Sequence, residues 1–527
     1  MSKDHEVVPL LYDNDLEVGS YESLPREEKY LDEHEVPQGR HLGIFSTTVL
    51  FISRMVGSGI FSTPSNIFVS CGGNSFIFFT VWLLTALFAY AGLYIFLEFG
   101  YHLPRSGGRK VFLEHSFRHP KLLMSVTVAC YSIFSGVALS GSVVFGKYFL
   151  AAIGYGSETY NAGNTSKYIS IGFVVLATAI HGISVRSGIY IQNALGVVKL
   201  MLILMMCLTG FYAIMIYDAP TVTQWDSPFF SFQDKSAFSL NSLASAFISA
   251  FFCFAGWDSV HSVTSEVKNP ARTLKISGLC SLAICALCYT LMNVAYTKVL
   301  SYEEIANAGP LVGSVLFKKL FGAQVGGALM TGSVAVSAAS NVIVVIYGIS
   351  RVNQEIFREG YLPFSKVLAR NWPWDAPLFS LLTCALLTCT WIIILPSEGS
   401  SFNYLISVEG YGNQVFLLLV AVGLLLFRRQ KTYQEHDNSI KASTLGVYSM
   451  ILLCTYLVVG PFFGDQSANK IAFLPPYEVA SVAILLSCVL FWFVKFIMLP
   501  FLFNYRLVSK TTTLSDGLRI TEWKAYY

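Results

Sequence analysis

Two stretches decide how this chain folds: Arg54-Met55-Val56-Gly57-Ser58-Gly59-Ile60-Phe61, with Pro64 just beyond, and Phe252-Cys253-Phe254-Ala255-Gly256-Trp257-Asp258. Each lies inside an apolar run long enough to span a bilayer, and each is interrupted by glycine. Lipid offers unwound backbone no hydrogen-bond partner, so such backbone survives at bilayer depth only where it is buried in protein or lines a wet cavity. Glycine packing of the small-xxx-small kind accounts for either break alone. Paired breaks at corresponding places in two halves of a chain point instead to the substrate site of a secondary transporter.

Composition supports a carrier. Of 527 residues, 54% are hydrophobic and 13% charged, with mean hydropathy +0.56. Apolar residues at that density belong to a polytopic membrane protein rather than a soluble domain. A net charge of +3 is far from the basic balance that nucleic-acid binding needs. Most of the eleven cysteines (Cys130, Cys207, Cys253, Cys280, Cys285, Cys288, Cys384 and Cys389 among them) lie in apolar runs. They lack metal-ligand or disulfide-framework spacing and read as helix-packing residues. No metal set, nucleotide loop or nucleophile elbow appears, so no enzyme, metal or cofactor is expected. The polar, acidic first forty residues argue against a signal peptide.

Apolar runs of spanning length fall at 43–70, 76–100, 121–148, 168–185, 190–217, 241–265, 275–298, 327–353, 376–395, 401–427, 442–463 and 477–502. The expected architecture is an all-α polytopic membrane protein of twelve transmembrane helices, with the first and sixth discontinuous. The separation of the breaks matches a five-plus-five repeat (43–217 and 241–427) followed by two extra helices. Residues 1–40 form an acidic, disordered tail, with Lys3 and Lys29 as ubiquitin acceptors if ubiquitin-ligase adaptors dock there. The transporter domain covers 41–503, and 504–527 is a second tail. Seventeen loop Lys and Arg lie on one side of this topology and seven on the other, which puts both tails in the cytoplasm. The sequon Asn164-Thr165-Ser166 then falls in an outside loop, and Asn164 is a glycosylation candidate.

The chemistry of the breaks follows from their backbone. A half-helix restarting near Ser58 presents free N–H groups and a positive dipole end, which suits a carboxylate. Carbonyls released around Phe252, Cys253 and Ala255 accept hydrogen bonds from an ammonium group. Donors facing acceptors across one cavity describe a zwitterion site, hence an α-amino acid. Gly57 and Gly59 are expected to take conformations closed to other residues. Phe252, Phe254 and Trp257 border the second break; most intramembrane aromatics simply pack, and Phe252 and Trp257 are the gating candidates. Ionisable residues within spans are costly and mark function or ion pairs: Arg54, Lys199, Asp258 and Glu409. Arg54 with Asp258 or Glu409 is also a candidate structural ion pair. Glu98 and Glu266, near cytoplasmic helix ends, are expected in gate salt bridges with loop arginines.

The motifs Gly57-Ser58-Gly59-Ile60-Phe61, Leu103-Pro104-Arg105-Ser106-Gly107-Gly108, Gly256-Trp257-Asp258 with Glu266-Val267-Lys268-Asn269-Pro270, and Arg358-Glu359-Gly360-Tyr361-Leu362-Pro363 resemble, in order, those of the amino acid–polyamine–organocation superfamily. Val36–Gly43, Ser53-Arg54-Met55, Phe252-Cys253-Phe254 and Ser350–Phe357 are similar to the fungal methionine permeases within its L-type amino acid transporter branch. Gly309–Phe317 is similar to their low-affinity members. The resemblance implies a helix-inverted-repeat, LeuT-like fold, alternating access, and plasma-membrane import of methionine or other neutral amino acids with protons. It carries the carboxylate role to the N–H groups of Ser58 and Gly59, and the ammonium role to the carbonyls of Met55, Phe252 and Ala255, with Val56 between. Lys199 takes the place of a sodium ion, near Ser337 and Asn341, and Asn413 matches a position that contacts the substrate side chain. Lys199 and Glu409 are candidate proton carriers. The loop 149–167 has no cysteine, so no disulfide-linked glycoprotein subunit is expected. A broader neutral amino acid permease or exchanger, and a nutrient sensor, are the competing readings; short tails argue against the sensor.

Overall fold

The chain is described by a computed structural model over residues 43–57, 59–103, 108–135, 138–154, 164–183, 185–218, 223–258, 261, 267–372, 376–396, 399–430, 433, 440–463, 474–513 and 519–527. The 1–40 tail with Lys3 and Lys29, Ser58, Arg105 and Glu266 lie outside the described residues.

Apolar runs become helices because a helix satisfies its own backbone hydrogen bonds without water. In chain order they are α1 (Ile44–Met55), α2 (Gly59–Ser62), α3 (Pro64–Ser70), α4 (Ser75–His102), α5 (Arg109–Ser116), α6 (Leu123–Ser135), α7 (Leu139–Ala152), α8 (Thr165–Ile183), α9 (Val185–Met215), α10 (Leu240–Phe254), α11 (Pro270–Val299), α12 (Val312–Gln324), α13 (Thr331–Arg358), α14 (Leu378–Ile394), α15 (Gly399–Phe427), α16 (Thr444–Val459) and α17 (Tyr477–Phe493). Their starts carry ordinary signals. The Asn74 side chain caps α4 by accepting from the Ile77 N–H at 3.0 Å, Ser239 and Ser242 form a reciprocal box before α10, and Pro270 opens α11.

Among the described residues, nine segments are long and apolar enough to cross a membrane, and Met201–Met215, Leu240–Phe254 and Leu378–Ile394 are shorter apolar helices. All twelve fall in the runs expected from sequence. The third run differs in detail: it is two helices, α6 and α7. Helix α11 packs against α1, α4 and α9; α10 packs against α3, α4 and α15; α13 packs against α7, α9 and α14. Both broken runs therefore sit inside the bundle.

One expectation needs correction: the fold is not all-α. Residues Arg506–Thr513 (β1) and Arg519–Tyr526 (β2) pair antiparallel, Arg506 opposite Tyr526 and Thr513 opposite Arg519. Valine, threonine, isoleucine and aromatic residues favour such a ladder, and its Leu507, Val508 and Ile520 are buried. The hairpin is held down by Trp523. Its indole N–H donates to the Glu359 carbonyl at 3.1 Å, and its ring stacks on Tyr361 and meets Phe496 edge-on. Lys366 adds an ion pair to Glu522 at 3.2 Å.

Candidate substrate site

Helix α1 stops at Met55, and the chain resumes as α2 at Gly59. Helix α10 stops at Phe254, where the Ala255 N–H turns back to the Phe252 carbonyl at 3.2 Å, and Gly256 follows with φ 114°. The two interruptions lie side by side and run in opposite directions. A Cβ on Gly59 would sit 3.1 Å from Cys253 Sγ and 3.2 Å from Cys253 Cα. A Cβ on Gly256 would sit 2.9 Å from Arg54 Cβ and 3.0 Å from the Arg54 carbonyl carbon. Glycine is thus required at both crossings by close backbone approach, and at Gly256 also by its positive φ. The Thr63 hydroxyl and Cys253 Sγ, 2.9 Å apart, add a polar contact between the broken runs.

Unpaired carbonyls at such a break need donors, and tyrosines supply them. The Tyr289 hydroxyl on α11 lies 3.0 Å from the Met55 carbonyl and 2.9 Å from the Cys253 carbonyl, so one group serves both breaks. Pro64 has no N–H to give the Ile60 carbonyl one turn back; the Tyr296 hydroxyl donates to it instead, at 3.0 Å. Tyr148 on α7 donates to the Phe61 carbonyl at 2.6 Å. Sequence reasoning missed all three tyrosines. A signal existed for two of them, because Tyr289 and Tyr296 are seven residues apart in one span and share a helix face.

The other singled-out residues divide. Gly57 lies beside Asn341 of α13, and its added Cβ would be 3.5 Å from the Asn341 carboxamide, an ordinary contact. Neither Gly57 nor Gly59 has a positive φ, contrary to the conformation expected for them; space is what Gly59 requires. Ser337, one turn before Asn341, is buried, and its hydroxyl has no partner among the described residues. The buried Lys199 ammonium donates to the Ser53 carbonyl at 2.8 Å, holding the end of α1. The Arg54 guanidinium lies over Gly348 of α13, and Asp258 is the acidic group it is drawn to. Val56 donates its N–H to Ile52 at 2.8 Å, closing α1.

Of the three aromatics, Phe252 borders Gly59, its ring 3.5 Å from that Cβ position. Phe254 is buried between Trp82 and Tyr289, and Trp257 is buried against Gly92 and edge-on to Phe96, so these two pack on α4. On α15, Glu409 hydrogen-bonds Ser140 of α7, and the Asn413 side-chain Oδ1 accepts from Arg109 of α5 at 2.8 Å. Their partners come from neighbouring helices rather than from either break. Asn164 is exposed just ahead of α8. Glu98 does pair with a loop-edge arginine: Arg428 grips it with two hydrogen bonds of 2.7 and 2.6 Å, the Tyr433 hydroxyl donates at 2.8 Å and the Ala442 N–H at 2.6 Å.

Against known proteins, the amino acid permease family profile matches residues 42–494. The chain belongs to the amino acid permease family. It is 56% identical to the low-affinity methionine permease of Saccharomyces cerevisiae over 489 residues, which cover 93% of this chain and 88% of the relative. It is 29% identical to the high-affinity methionine permease of the same yeast, covering 93% and 86%. Similarity extends to the b(0,+)-type amino acid transporter 1 of Rattus norvegicus, 24% identical over 81% of this chain and 84% of that one. These relatives are transporters, and the permease here is a helical membrane protein of the same family.

Proposed function

We propose that this permease imports methionine across the plasma membrane by alternating access, coupled to protons. The observation that carries the reading is the antiparallel crossing of the two breaks, Gly59 on Cys253 and Gly256 on Arg54. In this reading the N–H groups near Ser58 and Gly59 take the substrate carboxylate and the carbonyls around Met55, Phe252 and Ala255 take its ammonium group, the complement of an α-amino acid's two charges. The high identity to a relative named for methionine supports the substrate. Phe252 is the aromatic best placed to meet the substrate side chain, since sulfur gains from aromatic contact. The proposed topology is twelve spans in a five-plus-five repeat with both termini cytoplasmic, and Lys199, Ser337 and Asn341 stand at the coupling position.

The test is uptake of radiolabelled methionine in cells deleted for their own permeases, with unlabelled competitors. Methionine should compete best, followed by other long apolar neutral amino acids. Equal competition by arginine or glutamate would remove the methionine reading.

A further inference from the structure

Helix α5 opens on two basic residues whose side chains leave in different directions. Lys110 pairs with Glu359, just past the end of α13, which pins the first turn of α5. The Arg109 guanidinium reaches α15 instead, donating through Nη1 to the Asn413 side-chain Oδ1 at 2.8 Å. It also lies over the Phe416 ring, 5.8 Å from its centre, and Tyr131 backs that ring edge-on at 4.9 Å. Phe416 and Tyr131 are buried, so the guanidinium rests on a fixed aromatic face.

A guanidinium carries donors only, so the Asn413 carboxamide atom that meets it is the oxygen. The Nδ2 group is then turned away from Arg109. Asn413 is half-buried, and its Nδ2 has no partner among the described residues. Where that group faces follows from its neighbours on the helix. Asn413 comes three residues after Gly410 and four after Glu409, so the three share one face of α15. Gly410 abuts Ile248 of α10, and Glu409 bonds Ser140 of α7. Asn413 therefore faces the space that α15 shares with α10 and α7. In the proposed topology the sixth and tenth spans run the same way. Phe252 is one turn beyond Ile248, and Asn413 is about one turn beyond Gly410. The carboxamide thus comes level with the aromatic assigned to the substrate side chain.

We propose that Arg109 is a positioning residue for selectivity: by holding Asn413 Oδ1 it leaves Nδ2 to donate to the thioether sulfur of methionine. This inference rests on the methionine reading above. A thioether sulfur accepts weakly and cannot donate. A carboxamide free to turn would present oxygen to it as readily as nitrogen, and oxygen against sulfur gains nothing. Norleucine, with a methylene in place of the sulfur, has the same chain length and no acceptor, so neither orientation favours it.

The experiment is uptake of radiolabelled methionine in permease-deleted cells, with unlabelled methionine and norleucine as competitors. The readout is the ratio of their inhibition constants, which within one variant does not depend on how much protein reaches the surface. Relative to wild type, Arg109→Leu should shift the ratio against methionine by about two- to fivefold, the lower end of a hydrogen bond's net worth because the acceptor is weak. Asn413→Leu should shift it equally, and adding Arg109→Leu to Asn413→Leu should change nothing more. Asn413→Asp still accepts from Arg109 but has no N–H, so it too should lose methionine's advantage. A ratio unmoved in Arg109→Leu, or an Arg109→Leu effect that persists in the Asn413→Leu background, overturns the proposal. If Arg109→Leu does not reach the surface, Asn413→Asp decides, and a wild-type ratio there overturns it. Methionine uptake absent from wild type removes the methionine reading and this inference with it; uptake with an unmoved ratio removes this inference alone.

Discussion

A single methyl group at Gly59 tests the crossing of the breaks. In Gly59→Ala the new Cβ lies 3.1 Å from Cys253 Sγ, 3.2 Å from Cys253 Cα and 3.5 Å from Phe252 Cε1. The sulfur belongs to a side chain and yields; the α-carbon belongs to backbone fixed by α10 and yields poorly. Overpacking of this kind costs about 1–3 kcal/mol, and about 1.4 kcal/mol is a factor of ten. Methionine uptake should therefore fall roughly five- to 150-fold, with surface expression unchanged. Gly57→Ala is the internal control. Its methyl would make ordinary contacts of 3.5–3.7 Å with the Asn341 carboxamide, so uptake should drop less than about threefold, the scale of a surface-like substitution. Cys253→Ala in the Gly59→Ala background relieves the crowding against sulfur and leaves that against the backbone, so rescue should be partial. The assay is initial-rate uptake normalised to surface-biotinylated protein. Wild-type kinetics in Gly59→Ala, or a loss in Gly57→Ala as large as in Gly59→Ala, refutes the argument.

Tyr289→Phe removes the one hydroxyl that serves both Met55 and Cys253 carbonyls; leaving a buried acceptor unpaired costs about 1–3 kcal/mol, so maximal uptake should fall by about tenfold while the bundle still folds, as judged by melting. Glu98→Gln should destabilise by about 3–5 kcal/mol, because Arg428 loses its bidentate counter-charge in a buried site; a melting temperature equal to wild type would contradict it. For coupling, one charge moved through about 100 mV supplies about 2.3 kcal/mol, or about fifty-fold accumulation. Wild type should accumulate methionine without sodium and lose that accumulation to a protonophore, and Lys199→Met or Glu409→Gln should equilibrate it only. Accumulation that persists with the protonophore refutes proton coupling and leaves exchange; a wild type that only equilibrates methionine leaves facilitated diffusion.

How far the sequence reached depends on what each feature needs. The breaks were legible because glycine within an apolar run is a local signal, and its occurrence at corresponding places in two halves separates a break from glycine packing. That Gly59 would land on Cys253, and Gly256 on Arg54, was not legible, since contact between residues some 200 apart is set by how α1 and α10 are packed. The same holds for Tyr148, Tyr289 and Tyr296: a tyrosine in a span is apolar by composition, and only helix rotation decides that its hydroxyl meets a freed carbonyl. Phe254 and Trp257 read like Phe252, yet the helical turn points them at α4. Asn413 and Glu409 lie one turn apart on α15, and partners on α5 and α7 decide their surroundings. The terminal hairpin carried a signal that went unused, Asp516-Gly517 between two runs rich in β-branched residues.

That hairpin returns the end of the chain to where it began to leave the last helix, since Tyr526 pairs with Arg506. A pull on Tyr527 against the membrane-held Leu499–Phe503 segment therefore loads the ladder one pair at a time, as a zipper is opened, instead of shearing all eight pairs together. The first three pairs, from Arg506–Tyr526 to Val508–Lys524, oppose the pull with their own bonds, the Tyr505–Tyr527 ring contact and the burial of Leu507 and Val508. The fourth, Ser509–Trp523, brings in the indole seated on Tyr361 and Phe496, and mechanical resistance rises there. A machine that grips Tyr527 meets the Trp523 seat at the fourth pair, with the Leu499–Phe503 segment carrying the reaction force throughout.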